Sequence, residues 1–521
     1  MKYFKFLLSV VLVISSNSIA QISSKKIDKL VKEAMETFNV AGVAVGIVKD
    51  GKVIHSKGYG VKSIETKEPV NDHTNFAIAS NTKAFTTAAL SILVDKGKLS
   101  WNDKVVDYIP EFRMYNDYVT QNFNIADLIT HRSGLGLGAG DLMWWPAGSD
   151  FTMNDIVTNF KHFQPKSAIR TKYDYDNILY FVAGEIIARI SGMTWEEFVN
   201  THIIKQIDMD NTFSAITQIT DFSNVATPHS TESGVLKTIS HHIYDPKKVN
   251  GAAYSIYSNV DDLCNWMLVH LNKGKYGDNL ENELFSIKNQ REMWKIHTVF
   301  NADTSKRYNA HFRGYGLGWV LTDHKGNMIV YHGGFMPGMA STVVMIPDIE
   351  LGIVVLTNTD VGGAVHATIA WTIVDRYLKI DNFNWLDHIF KRVKKYKIES
   401  DSVTTKVWKT VESAKTENVN TEDYIGIFKD NWFGKVEVFM DENQLWFKSY
   451  RSPKLNGPMY YYKANAFAIK WEYQDMNGDA FAIFSLDEEG KAQSIKMKGI
   501  SPNIDFSFDF QDLDLIRIEE E

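Results

Sequence analysis

The hydrophobic period of this chain changes once along its length, and that change divides the molecule in two. Up to about residue 385 apolar residues recur at helical spacing between short strand-like runs, whereas from about residue 421 they alternate with period two. Val436 and Val438, Leu445 and Phe447, Phe467 with Ile469 and Trp471, and Ala480 with Ala482 and Phe484 each place apolar side chains on one face of a strand. Asp441-Glu442-Asn443, Asn456-Gly457-Pro458, Asn477-Gly478 and Glu489-Gly490 supply turn residues between these runs. About eight short strands in some 100 residues predict an antiparallel barrel or sandwich. Its aromatic residues, including Trp446, Tyr460, Tyr461, Tyr462 and Trp471, read as barrel core ahead of a ligand lining. Between the two halves, Lys391, Arg392, Lys394, Lys395 and Lys397 mark a solvated helix or linker. The expected division is therefore 21–385, a linker at 386–420, and an independent domain at 421–521.

The first half predicts a different architecture. Residues 43–48 and 53–59 read as a hairpin closed by Lys49-Asp50-Gly51-Lys52, with further strands at 317–321, 328–331, 341–346 and 353–357. Helical patterns at 26–38 and 365–377 bracket them. This order gives an α+β fold, in which helices flank an antiparallel sheet and a mostly helical region is inserted between its strands. The only cysteine, Cys264, excludes an intrachain disulfide, so packing must hold the fold; 521 residues that are 44% hydrophobic allow a sizeable core. A net charge of -7 without a basic stripe argues against nucleic acid or an anionic lipid surface as partner.

At the N-terminus, Lys2 and Lys5 precede the apolar run 6–14, and Ser18-Ile19-Ala20 offers small residues for cleavage. The run is shorter than the roughly 20 residues that span a bilayer. A cleaved export signal over 1–20 is expected, leaving a periplasmic or secreted chain without stable membrane insertion.

Candidate chemistry begins at Ser80 and Lys83, which a helix places one turn apart on one face. A lysine whose ammonium is disfavoured by burial can take the serine proton, and the helix N-terminus adds backbone donors for an oxyanion. Ser23 and Lys26 share the spacing without other signs of chemistry, so the spacing needs partners. Tyr175 and Asn177, two apart before the helical run 181–190, share a side of an extended loop. A tyrosine beside an ammonium has its phenolate favoured, which would let Tyr175 shuttle protons for Ser80. The glycines in Tyr331-His332-Gly333-Gly334-Phe335 would let a substrate lie against the backbone.

In this order, Ser80-x-x-Lys83, Tyr175-x-Asn177 and His332-Gly333-Gly334 resemble the three motifs of the serine β-lactamase and penicillin-binding protein superfamily. The branch is that of class C β-lactamases, related D,D-carboxypeptidases, D-aminopeptidases and family VIII esterases. Leu128-Ile129-Thr130-His131-Arg132-Ser133-Gly134-Leu135 and Gly314-Tyr315-Gly316-Leu317-Gly318-Trp319 extend the resemblance over about 40–378. The last 100 residues resemble a lipocalin-like domain that accompanies some of these hydrolases. Tyr257-Ser258-Asn259 is closer in letters to the usual second motif, but it leads directly into a helical run and reads as structural.

The resemblance implies an acyl-enzyme on Ser80, with Lys83 and Tyr175 moving its proton and Asn177 contacting substrate or Lys83. It also implies an oxyanion site made by the backbone N–H groups of Ser80 and Phe335, beside Gly334. No metal or cofactor is implied, and the partner is a small-molecule or peptide substrate. His332 stands where most β-lactamases carry lysine, which favours a D-peptidase or esterase over a β-lactamase. An ordinary histidine titrates near ~6.5, so His332 is expected to offer a cation to substrate carboxylates only at acid pH. A slowly released penicillin-binding receptor and a non-catalytic scaffold binding through the barrel are the other readings.

Overall fold

Two stretches distant in sequence close the main sheet. In the computed structural model, which describes residues 22–519 other than 233, 417 and 418, strand Gly42–Lys49 pairs with both Lys52–Gly60 and the late strand Leu351–Thr357. The export signal expected over 1–20 lies outside the described residues. Asp50 and Gly51, with φ of 51° and 73°, make the two-residue turn of the first hairpin. Beyond Leu351–Thr357 the order continues through Met339–Ile346, Asn327–Met336, Val320–His324, Arg313–Tyr315 and Thr298–Val299, an eight-stranded antiparallel sheet. The strand expected at 317–321 starts later, because Gly318 takes the left-handed φ of 80° and interrupts extended backbone.

Both faces of this sheet are covered. Val43, Val45 and Ile47 point to one side and pack with Ile27, Val31 and Phe38 of helix Ser24–Phe38 and Val365, Ile369 and Ile373 of helix Gly362–Tyr377. Ala44 and Val48 point to the other side, toward Leu263 and Met267 of helix Val260–Leu271 and the inserted helical region. At the centre of that region lies helix Thr82–Asp95, every residue of which from Thr82 to Leu93 is buried. Phe85 stacks on Trp266 at 4.0 Å, and Thr86 satisfies its hydroxyl on the Ala252 carbonyl. Among the described residues no single helix is long and apolar enough to cross a membrane.

The C-terminal part is a closed barrel of eight antiparallel strands in sequential order, from Gly426–Asp430 to Leu515–Ile518. Val436, Val438, Phe447, Phe467, Ile469 and Phe484 fill its interior. Asn456-Gly457-Pro458 is not a turn. It opens strand Asn456–Lys463, where the carbonyls of Asn456 and Pro458 accept from Glu472 and Lys470, while the chain reverses at 451–455. Proline donates nothing but loses nothing in that role.

Where a linker is expected at 386–420, the chain forms one 30-residue helix, Trp385–Ala414. Its buried Ile389, Ser400, Val407, Val411 and Ala414 lie along one face, and exposed pairs such as Lys391–Asp387 and Lys397–Asp401 bridge one turn on the other. Ile389 joins the core under helix Gly362–Tyr377, whereas Val407 and Val411 pack with Ala468 and Phe481 of the barrel.

The barrel does not stand apart from the catalytic half. Phe433 lies 6.0 Å from Phe151, Trp432 lies 5.1 Å from Phe163, and Arg451 covers the Phe151 ring while its guanidinium forks onto Asp155 at 3.1 and 3.0 Å. One apolar core runs through both. Deleting residues 421–521 would expose that face, at about 1.5–3 kcal/mol for each large side chain returned to water. The truncated chain is expected to aggregate, and recovery of a soluble, cooperatively unfolding fragment in size-exclusion and melting experiments would contradict the shared core.

Candidate active site

Strand Phe76–Ala77 runs into the 3-10 turn Ala79–Asn81, and helix Thr82–Asp95 follows at once. Ala79 holds φ at 48°, a left-handed conformation uncommon for alanine, directly before Ser80. Asn81 Nδ2 donates to Ser341 Oγ at 2.8 Å, and that hydroxyl donates to the Ile78 carbonyl at 2.6 Å. These bonds fasten the turn to the main sheet. A Cβ on Gly334 would lie 2.2 Å from the Ile78 carbonyl oxygen and 2.9 Å from the Ser80 amide nitrogen. Only glycine lets strand Asn327–Met336 approach the turn so closely.

Lys83 is fully buried. Its Nζ donates to Ser80 Oγ at 3.1 Å, Asn177 Oδ1 at 2.7 Å and the Ala253 carbonyl at 3.0 Å. Burial pushes the amine down to about 7, against the opposing influence of the Asp141 charge. The last two acceptors can only accept. A neutral lysine keeps its two N–H groups on them, which leaves its lone pair facing Ser80. The geometry suits Lys83 to take the serine proton.

Tyr175 and Asn177 come to the same place from the segment before helix Ile178–Ser191. Tyr175 and Ser80 line the same cleft, and Lys83 Nζ sits over the Tyr175 ring face, 4.8 Å from its centroid and 5.2 Å from that of Tyr180. The expected phenolate is therefore overturned. Burial holds the Tyr175 phenol well above its usual range, so it is a neutral O–H that can relay a proton but does not store the charge.

His332 also departs from expectation. Its Nδ1 lies 2.6 Å from the Gly333 carbonyl, which can only accept, so Nδ1 carries the proton and Nε2 accepts from the Tyr315 hydroxyl at 2.9 Å. Burial and the nearby Lys83 push the imidazole down to about 3. A neutral His332 offers no cation to a carboxylate at any ordinary pH. Phe335, 43% exposed, stands at the cleft with its backbone paired to Ala340.

Tyr257, the tyrosine of the rejected motif, pairs with Ala77 in a short ladder and has its hydroxyl 3.4 Å from His241. Residues not singled out from sequence complete the site. Tyr315 orients His332, and Asp141 Oδ2 accepts from Asn177 Nδ2 at 2.8 Å. The Gly-Tyr-Gly run is a visible signal for Tyr315, whereas Asp141 opens a single 3-10 turn, Asp141–Met143, too short to show a period. A cleft of about 430 Å³ opens over Ser80, walled by Trp144, Tyr254, Phe335 and, from the barrel, Phe506.

The family model described as Beta-lactamase matches residues 27–377, and one described as Domain of unknown function (DUF3471) matches residues 412–517. Unguisins hydrolase ungD' of Aspergillus campestris (strain IBT 28561) is 26% identical over 376 residues, covering 68% of this chain and 66% of that protein. Protein flp of Staphylococcus aureus (strain MW2) is 26% identical over 349 residues, covering 64% and 63%. The chain thus spans 66% and 63% of the length of these two relatives. Among solved structures, the octameric penicillin-binding protein homologue from Pyrococcus abyssi has a TM-score of 0.61 at 19% identity, covering 95% of this chain and 99% of that one. The class C beta lactamase from Rhodobacter sphaeroides has a TM-score of 0.53 at 18% identity, covering 68% and 99%. At these identities the structures speak for the fold alone.

A base displaced to about 7 fixes the sign of the pH dependence. Lys83 must lose its proton to act, so acylation of Ser80 is expected to rise with pH through an apparent ionisation near neutrality. Because His332 stays neutral, a carboxylate-bearing substrate and a neutral ester of the same acyl group are expected to share that profile. Stopped-flow measurement of kcat/KM against pH checks both, and an additional ionisation for the carboxylate substrate alone would contradict the neutral His332.

Proposed function

Since the chain belongs to the beta-lactamase family, whose members are serine hydrolases of the penicillin-binding-protein type, we propose that it is an exported hydrolase acting through an acyl-enzyme on Ser80. Its substrates are esters or amides, with D-amino-acid peptides and small esters preferred. The observation that carries this reading is the direction of the Lys83 lone pair, which two fixed acceptors leave pointing at the Ser80 hydroxyl. Ser80 attacks the carbonyl carbon while its proton passes to Lys83, and the oxyanion forms against the backbone N–H groups of Ser80 and Phe335. The neutral Tyr175 hydroxyl then relays the proton from Lys83 to the leaving group. Water repeats the sequence to free the acid and restore Ser80.

The lining of the cleft supports the substrate class. Trp144, Tyr173, Tyr254, Phe335 and Phe506 offer apolar and aromatic surface, and no lysine or arginine is among the described residues that line it. An anionic substrate therefore meets no fixed cation beside the neutral His332. This favours neutral or amine-bearing acyl groups over β-lactams, whose carboxylate needs a positive partner.

Ser80→Ala is expected to abolish both turnover of a short p-nitrophenyl ester and covalent labelling by a fluorescent phosphonate. Labelling that persists at full rate in that variant would overturn the assignment. Tyr175→Phe should slow acylation by about 10²-fold or more, since a phenyl ring relays nothing. Tyr257→Phe, which removes one long contact to His241, should leave the rate near wild type. The reverse ranking in single-turnover experiments would show that the other tyrosine serves Ser80.

A further inference from the structure

A serine of the barrel reaches the hydrogen-bond network of the catalytic lysine. Ser507 lies after strand Ala492–Gly499, and its hydroxyl donates to Asp141 Oδ2 at 2.7 Å. The same oxygen accepts from Asn177 Nδ2 at 2.8 Å, and Oδ1 accepts from Trp144 Nε1 at 3.0 Å. Two residues beyond Ser507, Asp509 accepts from the backbone N–H groups of Gly140 and Leu142 at 2.6 and 2.9 Å. The barrel thus grips the turn on both sides of Asp141.

A carboxamide has one donating end and one accepting end, while the Asp141 carboxyl, which burial pushes up to about 7, can only accept in its ionised form. With Asp141 holding the Asn177 NH2 group, the Asn177 oxygen must face Lys83, where it lies 2.7 Å from Nζ. Turned the other way, the amide would present N–H groups to the lysine and compete for its lone pair. The orientation of Asn177 is therefore set from Asp141, and Asp141 is set from the barrel.

We propose that Asp141 is a positioning residue for the reaction at Ser80, held in register by Ser507 and Asp509, so that the barrel is a working part of the catalytic apparatus. This rests on the hydrolase reading above. The ionisable groups facing Lys83 are Asp141, His131, His332, Tyr175 and Tyr180, and those facing Asp141 are Lys83, Tyr175, Asp176 and Asp509. Of the groups around Lys83, Asp141 is the one whose charge favours the ammonium. Removing that charge makes Lys83 easier to deprotonate, and removing the Ser507 hydroxyl acts in the same direction by raising Asp141.

The test is the second-order rate of Ser80 labelling by a fluorescent phosphonate on the full chain, measured from about pH 5 to about pH 9 around the expected ionisation. Asp141→Asn is expected to lower the plateau rate about tenfold or more through loss of Asn177 alignment, while the acid limb moves to lower pH. Ser507→Ala should lower the plateau about threefold or more and move the limb the same way. The double variant should be no slower than Asp141→Asn alone, because Ser507 acts through Asp141. Should Asp141→Asn fail to fold, Ser507→Ala, which deletes one oxygen, carries the test by itself. A wild-type rate and profile in Ser507→Ala, or a lowered rate with an unmoved acid limb in both variants, would overturn the coupling. Wild-type chain unlabelled at Ser80 would remove the hydrolase reading and this inference together.

Discussion

An amine without access to water governs this structure. Taking a lysine head group out of solvent costs several kcal/mol unless its protons are satisfied and its charge is matched or lost. Here all three donor directions of Lys83 are occupied, by Ser80, Asn177 and Ala253, and the ring faces of Tyr175 and Tyr180 close over it. Those partners come from three separate stretches of chain, at residue 80, at 175–180 and at 253. Holding them in place requires the central helix to be wrapped on every side, which is why its residues from Thr82 to Leu93 are all buried. The hydroxyls of that helix are satisfied, Thr87 on the Lys83 carbonyl, Ser91 on the Thr87 carbonyl and Thr86 on the Ala252 carbonyl, so their burial carries little further penalty.

The local part of this arrangement is legible in the sequence. Ser80 and Lys83 meet because a helix puts them one turn apart, and Tyr175 with Asn177 arrive together because they are two residues apart in one segment. The hairpin at Asp50-Gly51 and the alternation of the barrel strands are likewise short-range signals. Protonation states are a different matter. Burial depends on the whole fold, and it reversed two expectations: the Tyr175 phenol is held in its neutral form, and so is the imidazole of His332. Asp141 and Ser507 were equally hidden, since they meet across 366 residues of chain and neither sits in a periodic pattern. Long-range polar pairs leave no local trace.

The division into halves shows the same limit. The change of hydrophobic period does mark where one sheet ends and the barrel starts, but it says nothing of what covers the faces between them. Trp432 and Phe433 of the barrel pack against Phe163 and Phe151 of the catalytic half. A core read from alternation is a core of one sheet. Its sharing with another unit is a property of the assembled surfaces.

The helix Trp385–Ala414 works as a ruler between those units. At 1.5 Å per residue its 30 residues measure about 45 Å, with Ile389 anchored under the main sheet's helices and Val407 and Val411 seated on the barrel. Exposed side chains along it can change freely, but its length cannot. Losing one residue between the anchors would swing the barrel-facing side by about 100° and draw it in by about 1.5 Å. The segment whose composition looks most dispensable is therefore the one where an insertion or deletion would be felt furthest away, at the wall of the cleft.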